Sequence, residues 1–203
     1  SLHHPPETTS THDTPSQLEA LPICAGAVTL TGINSFTGGT TITSGRLIGN
    51  TQNFGTGAIV NNASLVLDQT TDASFATVIS GTGSLTKTGS GTLTLTGVNS
   101  FSGGTTITSG RLIASSQSLG TGAIVNNTSL VLNQITSGTL AGGISGTGSL
   151  TKTGSGTLTL TGVSSFTGGT TISSGSLIGS SQSLGRGPIV NNTSLVLNQT
   201  IAG

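Results

Sequence analysis

The chain has 203 residues, 33 of them glycine, with five Lys or Arg, five Asp or Glu and a formal net charge of zero. So little charge leaves no basic surface for nucleic acid and no attraction to anionic membranes, and no apolar run is long enough to insert across a bilayer. Recurrent Val, Ile and Leu exclude a disordered chain, and the absence of Met, Trp and Tyr points to a thin aliphatic core.

Residues 1–25 differ in composition from the rest. They hold all three histidines (His3, His4, His12), four of the five prolines and three of the five acids (Glu7, Asp13, Glu19). This Pro/His-rich segment reads as disordered chain or as a cap. Gln17–Leu21 fits a helical turn that covers the first coil, because an open β edge invites pairing with another chain. A basic stretch followed by an apolar one is missing, so the sequence shows no signal peptide. The single cysteine, Cys24, excludes an intramolecular disulfide. The chain starts at Ser1 and stops inside a repeat at Gly203, so it reads as a piece of a longer protein.

From Gly26 onward one unit is copied as 26–90, 91–155 and a partial 156–203. Phe36, Phe101 and Phe166 mark it at intervals of 65 residues, with no insertion between them. Self-similarity at a fixed period signals an array in which each unit buries its apolar side against its neighbours. In the second copy, alternation and Gly, Ser and Asn punctuation predict strands at Thr92–Thr96, Thr105–Thr108, Arg111–Ala114, Ala123–Asn126 and Ser129–Asn133. Two more follow, a weak one near Ile144 and one at Ser149–Thr153. Leu93 and Leu95, like Leu130 and Leu132, should face inward, since side chains alternate across a strand.

Strands this short suit a three-faced coil of roughly 20 residues. The expected fold is all-β, a parallel β-helix (β-solenoid) with about three rungs per unit and about eight in all. With rungs ~4.8 Å apart, the rod is on the order of 40 Å long. Each inward leucine contributes roughly 1.5–3 kcal/mol. An antiparallel sandwich or barrel is the rival fold, but the Asn-Gly and Asp-Gly turns of its hairpins do not occur.

The run from Gly83 to Leu112 contains Leu-Thr-Lys-Thr-Gly, Gly-Thr-Leu-Thr-Leu-Thr-Gly, Asn-Ser-Phe, Gly-Gly-Thr-Thr and a closing Gly-Arg-Leu. It resembles the autotransporter-associated β-strand repeat, also called the passenger-associated transport repeat. The run returns at Gly148–Leu177. In the first copy Pro22-Ile-Cys-Ala25 replaces the Lys-Thr-Gly lead-in, and the family commonly has Tyr where Phe101 stands. The resemblance implies a right-handed parallel β-helix in the passenger of a Gram-negative type V secreted protein. It also implies a C-terminal β-barrel translocator as partner, display on the outer surface of the cell, and a role in export and folding.

Chemistry is sparse. From Gly26 the chain has no His, Cys, Glu or Tyr, and its charged residues are Arg46, Asp68, Asp72, Lys87, Arg111, Lys152 and Arg186. General acid–base and nucleophilic catalysis need titratable groups placed together. Asp68 and Asp72 are matched by Asn133 and Ser137 in the second copy, so they read as solvated surface. His3, His4 and His12 read as a flexible end rather than a metal site. Gly81-Thr-Gly83 and Gly89-Ser-Gly91 lack a following Gly-Lys-Ser/Thr and read as coil corners. Asn61-Asn62 and its copies Asn126-Asn127 and Asn191-Asn192 read as turns tolerant of positive φ. Asn62, Asn127 and Asn192 also open glycosylation sequons, which the implied bacterial setting disfavours.

The expected function is therefore non-enzymatic, with no catalytic, cofactor or metal residues. It is that of a surface stalk which aids export and contributes to adhesion to a host surface or to self-association. Two alternatives follow from other features. An ice- or surface-binding solenoid would use outward threonines, Thr92, Thr94 and Thr96 together with Thr106 and Thr108. A polysaccharide-active β-helix would use Asp68 and Asp72.

Overall fold

The computed structural model describes residues 26–199, so His3, His4, His12, Cys24 and the expected Gln17–Leu21 turn lie outside it. Among the described residues there are 21 strands and no helix. Neighbouring strands pair in parallel, as at Leu65↔Leu85 and Leu130↔Leu150. The chain winds as a β-solenoid of about nine turns, about 19 residues apart, rather than the eight expected.

Three sides are built in this way. The first stacks β1 (Ala27–Thr29), β3 (Arg46–Gly49), β5 (Ser64–Asp68), β8 (Ser84–Thr88), β10 (Thr105–Ile107), β12 (Ile124–Asn126) and β15 (Ile144–Ser145). The second stacks β6 (Ala73–Phe75), β9 (Thr92–Leu95), β11 (Arg111–Ala114), β13 (Ser129–Asn133), β16 (Ser149–Thr153), β18 (Thr170–Ile172) and β20 (Ile189–Asn191). The third begins with β2 (Thr40–Ile42), β4 (Ile59–Asn61) and β7 (Ile79–Ser80). It resumes with β14 (Gly138–Leu140), β17 (Thr157–Leu160), β19 (Ser176–Gly179) and β21 (Ser194–Leu197). In between, the chain crosses this side without a strand, and the Ser100 amide donates to the Ile79 carbonyl at 2.9 Å.

The period of the sequence and the period of the coil do not coincide. β1 lies on the first side. Its copy in the next repeat, β9, lies on the second, and the third copy, β17, lies on the third. Each 65-residue repeat therefore makes three full turns and one further side. Equivalent residues rotate around the rod instead of stacking along one edge.

Inward positions form columns along the axis, such as Leu47, Leu65 and Leu85. Leu93, Leu95, Leu130 and Leu132 all face the interior and are at most 2% exposed. The interior is less purely aliphatic than composition suggests. All five phenylalanines (Phe36, Phe54, Phe75, Phe101 and Phe166) are buried. Phe54 and Phe75 meet edge to face, with centroids 6.1 Å apart. Aromatic pairs in this geometry gain about 0.5–1.5 kcal/mol beyond their buried area.

Candidate functional site

The strand Ser84-Leu-Thr-Lys-Thr88 alternates, with Leu85 inward. The same parity carries Lys87 inward, stacked in register between Leu67 of β5 and Ile107 of β10. Lys152 repeats the arrangement in β16, between Leu132 and Ile172. Both lysines are fully buried. An unpartnered ammonium in such a place costs several kcal/mol, so each must find acceptors.

The acceptors are backbone carbonyls at the corner that follows each strand. Lys87 Nζ donates to Thr88 at 2.6 Å, Gly89 at 2.8 Å and Ser109 at 3.3 Å, with Gln69 at a longer 3.5 Å. Lys152 Nζ donates to Thr153 and Gly154 at 2.8 Å and to Ser174 at 3.1 Å. Two of the three short bonds come from the lysine's own turn and one from the next turn. An ammonium has three donors and no acceptor, so three converging carbonyls satisfy it in its charged form.

Glycine makes room for this cluster. Gly110 has φ +69°, and a β-carbon there would lie 2.5 Å from the carbonyl oxygens of Gly89 and Gly91 and 2.9 Å from Lys87 Nζ. Gly175 occupies the same position beside Lys152, at φ +70°. Gly81 and Gly89, expected at coil corners, also take positive φ, at 102° and 77°.

Burial pushes the pKa of Lys87 below its ordinary value, and the charge of Asp68 opposes that shift. Burial also pushes Lys152 down, and its neighbour in the position of Asp68 is the uncharged Asn133. Sequence reasoning treated the two lysines only as members of a short charged set. The signal that places them was the parity of Leu85 and Leu150 in the same strands.

Asp68 and Asp72 are exposed and close contacts to the adjacent turn. Asp68 Oδ1 accepts the Thr88 hydroxyl at 2.9 Å, and Asp72 Oδ1 accepts the Thr92 amide at 2.7 Å. The bonds to Thr92, with a smaller contribution from the charge of Arg111, hold the Asp72 carboxyl below the usual range. No group of three or more His, Cys, Asp or Glu lies together among the described residues.

The Asn-Asn turns work through their side chains. Asn126 is buried; its Nδ2 donates to Ser149 at 2.8 Å and its Oδ1 accepts the Thr128 amide at 3.2 Å. Asn61 does the same with Ser84 and Ala63. The second asparagine of each pair, Asn62 or Asn127, is exposed.

Nor do the threonines form an unbroken hydroxyl array. Pairing places the half-buried Ile113 and the buried Val131 between Thr94 and Thr151 on the second side. Polar stitching instead lies at corners and crossings. Asn99 spans one crossing, accepting the Ile79 amide at 2.8 Å and donating to the Ser118 carbonyl at 2.7 Å.

These features define a parallel β-solenoid repeat protein whose polar groups serve the stacking of turns. The passenger-associated-transport-repeat family matches at residues 25–48, 85–114 and 150–178. Three segments of the chain thus carry the passenger-associated transport repeat, a repeat associated with autotransporter passengers. The family is one of structural passenger repeats and is not known as an enzyme family. No curated protein matches the chain, and no solved structure does.

Proposed function

We propose that this chain is a rigid, non-enzymatic spacer within an autotransporter passenger. It is carried through a C-terminal β-barrel translocator and displayed on the surface of a Gram-negative cell. The observation that carries the reading is the coincidence of the passenger repeat with a continuous solenoid. Five of its buried polar side chains, Lys87, Lys152, Asn61, Asn99 and Asn126, bond to backbone of the coil itself. Such a rod sets distance. We place the domain boundary near residue 26, with 26–203 as the solenoid and 1–25 as a separate segment.

The test is a fusion of the chain between a secretory signal and an autotransporter barrel, with an epitope tag at the exposed Asn127 corner. The expected result is tag on intact cells, removable by external protease. Tag retained in the periplasm while the same barrel exports a control passenger rejects the reading.

Adhesion or self-association is a further part of the proposal. It rests on uncharged, β-branched outer columns such as Thr151, Thr171 and Val190. Beads coated with the chain should aggregate or bind host cells. Beads that stay dispersed and unbound leave the spacer role alone.

A further inference from the structure

We propose that each lysine corner is a monovalent-cation site, built from backbone carbonyls, that the chain fills with its own ammonium. The geometry is that of an ion site rather than of a salt bridge. Around Lys152 Nζ three carbonyl oxygens converge at 2.8, 2.8 and 3.1 Å, and a position corresponding to Asp68 holds only Asn133. Lys87 has the same carbonyl set with Asp68 added nearby. A counter-charge is therefore not what makes the site.

The oxygens come from two successive turns, so they converge only when the turns are in register. Gly110 and Gly175 keep the space beside each nitrogen free of any side chain. The stem of each lysine packs along an aliphatic column, between Leu67 and Ile107 or between Leu132 and Ile172. The head meets a half-exposed corner formed by Thr88, Gly89 and Ser109, or by Thr153 and Gly154. A cation freed from its tether has a short path in from solvent there. Carbonyl oxygens without side-chain charge suit a singly charged ion with three or more acceptors to satisfy, such as ammonium or potassium.

Two experiments test this. The chain has only two lysines, Lys87 and Lys152, so lysine-selective 15N labelling of the full chain gives two side-chain signals. Both should be three-proton ammonium groups at neutral pH, with hydrogens exchanging much more slowly than those of free lysine. A neutral amine, or exchange at the solvent rate, overturns the proposal.

The second experiment removes the tether. Lys152→Ala is melted in ammonium, potassium or choline chloride at equal ionic strength. Ammonium and potassium should raise its Tm by about 2–4 °C relative to choline, the shift expected for about 1 kcal/mol in a chain of this size. Lys152→Met, which fills the stem space, should show no such preference. An Ala variant that responds alike to all three salts overturns the proposal. If that variant does not fold, the labelled native chain decides the question alone.

Discussion

Gly110 stands where a β-carbon would lie 2.9 Å from the Lys87 ammonium and 2.5 Å from two carbonyl oxygens. Its φ of +69° adds a backbone penalty for any other residue. Gly110→Ala should therefore destabilise the fold by about 2–4 kcal/mol, the combined scale of a strained backbone and a displaced buried group. Denaturant melts measure it. Gly142, with no positive φ, lacks the second penalty.

The lysines make stability depend on alkaline pH. Burial lowers each folded pKa below the ordinary 10.5. Between the folded pKa and 10.5 the unfolded chain binds more protons, so stability rises with pH through that window. Below the folded pKa both states are protonated and the cost of burying the charge is fully present. Asp68→Asn removes the charge that opposes the shift at Lys87, so its pKa should fall further while Lys152 stays put. Side-chain 15N titration of the two lysines reads both values. Unequal movement in the opposite sense contradicts the assignment.

Asn126 and Asn99 should respond differently to substitution. Asn126→Ala leaves the Thr128 amide and the Ser149 carbonyl without their side-chain partner inside the coil, at a cost of about 2–3 kcal/mol. The third repeat places Ser164 where the second has Asn99, and Ser164 Oγ still accepts the Ile144 amide at 3.1 Å. Asn99→Ser should thus cost about 1 kcal/mol, through loss of the bond to Ser118 alone. Thermal melts of the two variants compare them directly.

Phe54 and Phe75 should behave as a coupled pair. The second repeat has Leu119 and Leu140 at both positions, and all four side chains are buried. Replacing one phenylalanine strands the other ring; replacing both reproduces an interior the fold already uses. The Phe54→Leu/Phe75→Leu double variant should be more stable than the sum of the singles, by about 0.5–1.5 kcal/mol. A double-mutant cycle in urea checks it.

Much of the coil was legible in the sequence because its strands obey a two-residue alternation that burial enforces. Thr92-Leu-Thr-Leu and Ser129-Leu-Val-Leu-Asn announce their inward leucines directly. β14 was missed because Gly138-Thr-Leu140 offers one apolar residue and a glycine, and the neighbouring turn, not its own propensity, makes it a strand. The rotation of the repeat was hidden by treating the unit as a whole number of rungs. Sixty-five residues exceed three turns of about 19 by roughly one side. The lysine corners were hidden for a different reason. A cation in an alternating strand reads as solvent-facing until its parity with Leu85 is followed, and the carbonyls that receive it are separated by about one turn of chain.

The advance of one side per repeat turns copy number into an angular setting. Adding or deleting a single unit lengthens the rod and also swings whatever is joined beyond it by a third of a revolution. Only a change of three units preserves the heading. Duplication within such a gene would thus re-aim a distal element without altering any residue of it.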